Sequence, residues 1–179
     1  MANNCWNYVS ISGDKNVLDE IQERFSKYDD FNYFVEFGDY VLKKENKTSI
    51  EDYYHYGTKW WEIHMERSED NCLIISGDSA WSPPLELMTE LSKVFPVVIE
   101  GEYNECGMDF GGFFSAYEGG LDDNQMTYRE YQLECDRDWA IQDIIDDLES
   151  FEEEFNEEDY DYLTQEEKEY IKKQLNQTL

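Results

Sequence analysis

The chain has 179 residues with 43 acidic and 14 basic side chains, a formal net charge of −29, and is 40% hydrophobic and 16% aromatic. So much apolar and aromatic material excludes wholesale disorder, and the charge excludes direct binding to nucleic acid. No run approaches the ~20 apolar residues of a membrane span, and Met1-Ala2-Asn3-Asn4-Cys5 lacks the basic and apolar regions of a signal peptide.

Trp6 to Ser12 alternates apolar and polar residues before Gly13-Asp14, which predicts a strand. Val17, Leu18, Ile21, Phe25 and Tyr28 recur at helical spacing, so residues 16–28 are expected to form an amphipathic helix with Asp14 as its cap. Residues 29–56 show no single period and are treated as an insertion of short extended or helical pieces. Thr58 to Glu66 and Asn71 to Ser79 are predicted strands, joined as a hairpin by the polar turn Ser68-Glu69-Asp70-Asn71.

Ser82-Pro83-Pro84 then opens a helix, with Ser82 its expected cap, and Leu85, Leu87, Met88, Leu91, Val94 and Phe95 line it up to Pro96. A strand over Val97–Tyr103 and an apolar stretch over Phe110–Tyr117 follow, and Gly119-Gly120 to Thr127 is expected to be turn and connecting chain. Strand-helix-strand-strand-helix-strand is the order of a ferredoxin-like α+β fold, an antiparallel sheet with two helices on one face. Residues 1–130 are assigned to this domain and 131–179 to an acidic helical extension.

From Leu133 to Phe155 the residues Trp139, Ile141, Ile144, Ile145, Leu148, Phe151 and Phe155 form a narrow stripe that predicts one long helix. The stripe is expected to dock on the sheet or on a second protomer. Thr164-Gln165-Glu166-Glu167 is a capping box that starts a last helix carrying Tyr170, Ile171 and Leu175.

Short motifs over residues 3–120 add a family expectation. Asn4-Cys5-Trp6-Asn7 leads to Ile11-Ser12-Gly13, then come Gly57-Thr58-Lys59-Trp60 and Ala80-Trp81-Ser82-Pro83-Pro84. Leu91-Ser92, Phe95-Pro96, Tyr103-Asn104-Glu105-Cys106-Gly107 and Phe110-Gly111-Gly112 complete the set. In this order they resemble the YubB-like (Api92-like) ferredoxin-like family of phages, plasmids and other mobile elements. The order Cys5-Trp6 departs from the Trp-Cys expected of that family, as does Tyr56 where Trp is expected, and the acidic extension lies outside the resemblance. The resemblance implies the fold and a mobile-element origin, hence a bacterial cytoplasm, but transfers no catalytic residue.

Fourteen of the 28 residues from Glu134 to Asp161 are acidic, and Arg137 is the one base among them. A solvated helix face explains the polarity but not the lack of interspersed cations, because like charges at i,i+4 repel. Glu157-Glu158-Asp159-Tyr160-Asp161 has no glycine at the turn of a calcium loop. Carboxylates three or four positions apart recur every ~4.5–6 Å along a helix, close to the ~3.4 Å phosphate repeat of a nucleic-acid strand. Asp136, Asp143, Asp146, Asp147, Glu149, Glu153, Glu154 and Glu157 are therefore the candidate contacts for a basic, nucleic-acid-binding host protein. The expected role is non-catalytic inhibition of a defence nuclease, such as a CRISPR effector or a restriction enzyme, by nucleic-acid mimicry.

The alternative is a small enzyme or ligand-binding domain using a polar cluster of Lys59, Trp81 and Glu105. Against it, the sequence contains no phosphate loop, nucleophile elbow, zinc-protease helix or dinucleotide fingerprint. Cys5, Cys72, Cys106 and Cys135 form no Cys-x-x-Cys pair and are expected as reduced thiols; their spacing with His55 and His64 does not suit zinc. No metal or cofactor is expected. His64 is expected on a strand face, and His55 to pack among Tyr53, Tyr54 and Tyr56.

Overall fold

The structure, a computed structural model, describes residues 3–27, 34–44, 56–151 and 155–178. The chain forms two compact units, Met1–Met126 and Thr127–Leu179.

The first unit is built on β1 (Asn4–Gly13), which is hydrogen-bonded on both sides. It is followed by α1 (Lys15–Lys27), α2 (Phe34–Val41), β2 (His64–Glu69), β3 (Cys72–Ala80), α3 (Leu85–Val94), β4 (Val97–Glu105), β5 (Phe110–Tyr117) and β6 (Gly120–Met126). The sheet is antiparallel, in the order β2-β3-β1-β4-β5-β6. Its first four strands have the ferredoxin-like order, and β5 and β6 extend the edge as a meander. The fold is the α+β class expected.

Alternation along β1 sends Val9 and Ile11 into the core, where they meet Leu73 and Ile75 of β3, Val97 and Ile99 of β4, and Phe114 and Ala116 of β5. Leu18, Ile21 and Phe25 of α1 and Leu87, Met88 and Leu91 of α3 close over the same side. Phe34, Phe37 and Val41 of α2 enlarge this core; of residues 29–56, those at 29–33 and 45–55, including His55, lie outside the described residues. Trp6 and Tyr8 of the predicted strand point the other way and are 37% and 39% exposed. Cys5 and Asn7 take the inward positions at that end.

Four local expectations are corrected. The strand predicted from Thr58 begins only at His64, because the chain before it passes over a deformed stretch of β3. Trp61 makes a single bridge to Ser79, Glu62 N–H donates to Asp78 O at 2.8 Å, and Gly77 lies beneath with φ +143°. Trp61 itself is fully buried, its Nε1 donating to Gly77 O at 3.3 Å. Ser82 does not cap α3: Pro84 occupies that position, while Ser82 Oγ donates to Gly57 O at 2.5 Å. A first-turn amide that Ser82 leaves unserved, Leu87 N–H, reaches Tyr56 O at 3.3 Å.

The third correction is β6, expected as connecting chain. Asp122, Asp123, Asn124 and Gln125 give it no apolar alternation, yet it pairs with β5 from Gly111–Met126 to Tyr117–Gly120. A polar contact anchors it on the inward side: Tyr103 Oη donates to the Asp123 carboxylate at 2.7 Å.

The fourth concerns the second unit. The predicted long helix is two, α4 (Tyr128–Cys135) and α5 (Arg137–Phe151), separated by Asp136 in extended geometry. A capping box of Thr127 and Glu130 opens α4, and the Asp136 carboxylate accepts Trp139 N–H at 3.1 Å at the start of α5. The predicted capping box of Thr164 and Glu167 starts α6 (Gln165–Thr178). Ile141, Ile144, Ile145 and Leu148 form a core with Leu133, Leu163 and Ile171 inside this unit, with Phe155 packed against it. Trp139 leaves the stripe and is 54% exposed, as is Phe151 at 72%. No helix among the described residues is long and apolar enough to cross a membrane.

Gly77→Ala tests the crossing over β3. A Cβ there would stand 1.9 Å from Glu62 O, in a backbone region that L residues rarely adopt. We expect a cost of about 1–3 kcal/mol or more, measured by denaturant unfolding, with a lower midpoint and a soluble product.

Candidate functional site

The acidic surface is built on α5. Ala140, Ile141, Ile144, Ile145 and Leu148 occupy one side, so Asp138, Asp143, Asp146, Asp147 and Glu149 fall on the remainder. Asp138, Asp146, Asp147 and Glu149 are exposed and Asp143 is half-buried. Between Asp138 and Glu149 the helix advances ~16 Å, a length comparable with about five phosphates of one strand.

Several of these carboxylates have internal partners. Arg129 on α4 forks between two of them, its Nη1 2.6 Å from Asp143 and its Nη2 2.9 Å from Asp147. Burial alone would lower the Arg129 pKa, but the hydrogen bonds to both carboxylates more than offset it and the pKa rises. Asp136 is engaged as a cap, Asp146 accepts from Gln142 Nε2 at 2.8 Å, and Glu157 is paired with Lys172. Glu153 and Glu154 lie outside the described residues.

Arg129 is the functional residue the sequence reading missed, since it stands five positions before the acidic run. The signal for it was the capping box at Thr127–Glu130, which starts a separate helix and so allows that helix to pack a base against α5. The single positive charge of Arg129 offsets one of the two negative charges at Asp143 and Asp147, while Asp138, Asp146 and Glu149 stay exposed on the same helix.

A second clamp joins α5 to α6. Arg137 Nη2 meets Glu167 Oε2 at 2.9 Å, and the same carboxylate accepts Thr164 N–H and Oγ1, each at 2.7 Å. The Arg137 guanidinium, helped by Thr164, holds the Glu167 carboxyl down at about 2.

The other predicted cluster is at one end of the sheet. Thr58 Oγ1 donates to Ala80 O at 2.8 Å and Ala80 N–H to Trp60 O at 3.0 Å, which sets Lys59 alongside the chain entering Trp81. Trp81 adopts φ +64° and its N–H donates to Asn3 O at 2.9 Å, turning β3 toward α3. Lys59 is exposed, whereas Glu105 is 5% exposed with Oε1 accepting Gly107 N–H at 3.0 Å. The shared end of the sheet therefore holds all three backbones, but Glu105 faces inward beside Cys5.

Cys5, Ser79 and Asn7 are buried with Glu105 in that corner. Asn7 Nδ2 donates to Cys5 O at 2.8 Å, Gly77 O at 3.1 Å and Ser79 Oγ at 2.9 Å. Burial pushes the Cys5 thiol up to about 12, Ser79 opposes it, and the nearby Glu105 and Asp78 charges add to it. A thiol so disfavoured as thiolate is a packing group, not a nucleophile. Surface grooves among the described residues lie elsewhere, such as one of about 580 Å³ by Gly13 and Phe95, another by Arg24 and Tyr40, and another by Lys44 and Leu121.

Residues 60–169 match the family described as the ferredoxin-like domain in Api92-like protein. The chain belongs to the Api92-like family. The match differs in extent from the motifs at residues 3–120: it begins at Trp60 and runs through α4 and α5 into α6, so the acidic helices fall within the Api92-like domain and not outside it. The crystal structure of a protein api92 from Yersinia pseudotuberculosis is similar, with a TM-score of 0.45 and 12% identity over 72% of this chain and 98% of that one. No curated protein matches the sequence.

The clamp at Glu167 gives a pH prediction. Its folded value lies below the ordinary carboxyl value of about 4.3, so it stabilises the second unit above that pH, and the contribution is lost as pH falls toward about 2. Carboxyl carbon shifts should report a Glu167 midpoint at about 2, moving up toward the ordinary range in Arg137→Ala. A native midpoint already in the ordinary range would contradict the clamp.

Proposed function

We propose that this Api92-like protein is a non-catalytic binding protein that captures a basic, nucleic-acid-binding protein through the acidic surface of its second unit. The observation that carries this reading is the outward row on α5, in a chain of net charge −29. A groove shaped for phosphates presents Lys and Arg at intervals, and a rigid helix offers carboxylates at comparable spacing without the flexibility of a disordered acidic tail. Asp143 and Asp147, already held by Arg129, keep α4 against α5 and so fix that row in place. Electrostatic steering would make association fast and steeply salt-sensitive.

On this reading the target is a nuclease or effector of bacterial defence, and the protein acts in the cytoplasm of a host carrying a mobile element. Chemistry at Lys59, Trp81 and Glu105 draws less support. The Glu105 carboxylate caps the turn at Cys106–Met108 from a buried position, while Lys59 is exposed.

The test is capture from bacterial lysate at physiological and raised salt, with identification of what is retained. A nucleic-acid enzyme held at physiological salt and displaced by its own DNA or RNA is the expected result. Asp138→Lys combined with Asp146→Lys should weaken that capture by about tenfold or more, on the order of 1.4 kcal/mol, without disturbing Arg129. Undiminished capture by this variant would remove α5 from the interface.

A further inference from the structure

The sheet of the first unit has a second face that the helices α1 and α3 do not cover, since both pack on the side of Val9 and Ile11. Register assigns to this outward face the carboxylates Glu66, Asp78, Glu100, Glu102 and Asp122. No position that the paired registers place on it carries Lys or Arg. At its centre Trp6 and Tyr8 are stacked, ring centroids 6.3 Å apart and planes 19° from parallel, and more than a third of each is exposed. Tyr8 stands opposite Glu102 on β4, and Trp6 stands between Asp78 on β3 and Asn104 on β4.

We propose that this sheet face is a docking surface for an arginine-rich segment of a partner protein. A guanidinium stacks on Trp or Tyr while its N–H groups reach neighbouring carboxylates, and a strand spacing of ~4.8 Å brings both within its span. Lysine, a compact and strongly hydrated ammonium, uses the carboxylates but gains less from the rings. Single-stranded nucleic acid would stack on the same rings, but its phosphates would meet Asp78 beside Trp6 and Glu102 beside Tyr8. A second copy of the chain placed face to face would oppose like charges. The surface belongs to the unit that lacks α5, so it is independent of the reading given above.

Fluorescence anisotropy with labelled octa-arginine and octa-lysine peptides, on the full chain at physiological salt, tests this. The arginine peptide should bind about tenfold more tightly than the lysine peptide. Trp6→Ala with Tyr8→Ala should abolish that preference, and Glu100→Gln with Glu102→Gln should weaken arginine-peptide binding by a similar factor. Asp138→Lys with Asp146→Lys should keep the preference, which separates this face from α5. Equal affinity of the native chain for the two peptides, or a preference that survives loss of both rings, would overturn the proposal. Circular dichroism checks folding; if the ring variant does not fold, unchanged arginine-peptide binding by the Glu100 and Glu102 variant overturns it alone.

Discussion

Scarcity of positive charge is the constraint on which the rest of this structure depends. With 14 bases for 43 acids, every Lys or Arg buried in a pair leaves other carboxylates without one. The second unit places three of its five bases at the joints between helices: Arg129 joins α4 to α5, Arg137 joins α5 to α6, and Lys172 holds the turn at Glu157 against α6. Exposed pairs of this kind contribute only about 0–1 kcal/mol each. Their value is positional, because they relieve repulsion where helices must approach and leave it where the surface faces solvent.

The same economy divides the first unit. Around α1 the bases Lys15, Arg24, Lys27 and Lys43 lie beside Asp19, Glu20 and Glu23. On the far side of the sheet the paired register positions hold Glu66, Asp78, Glu100, Glu102 and Asp122 but no Lys or Arg. A protein selected only for stability would intersperse cations there, at little cost to the fold. Two acidic surfaces, one helical and one on a sheet, therefore arise from a single bias in where the bases were put.

The fold was legible where burial imposes a period. β1, α1, α3 and β4 bury one face each, and their apolar residues recur at two or at three to four positions accordingly. β6 was not legible, because an edge strand that is largely exposed needs no apolar alternation, and Asp123 serves its inward contact with Tyr103 through a hydrogen bond. The break at Asp136 was hidden for a different reason. An apolar stripe continues across a helix junction whenever both helices feed one core, as Leu133 and Ile141 do, so periodicity cannot see the joint. Of the candidate site, helical spacing placed Asp143, Asp146, Asp147 and Glu149 on one helix, but Asp138 of that helix was not among the candidates. The partner of Asp143 and Asp147 was not legible, since Arg129 meets them only through the packing of two helices.

The outward turn of Trp6 and Tyr8 follows from one choice at the centre of the sheet. β1 is paired on both sides, so its parity fixes which residues of β3 and β4 share each face. Asn7 and Cys5 take the inward positions at its start, and Asn7 is held there by donating to Cys5 O, Gly77 O and Ser79 Oγ. A one-residue shift of β1 would bury Trp6 and Tyr8, but it would also leave the Asn7 amide without those acceptors and carry Val9 and Ile11 into water. Burying each of those two aliphatic side chains is worth about 1.5–3 kcal/mol, so the register is strongly held. The two rings are thus kept outside by the core's own requirements, with Asp78 and Glu102 among their register neighbours.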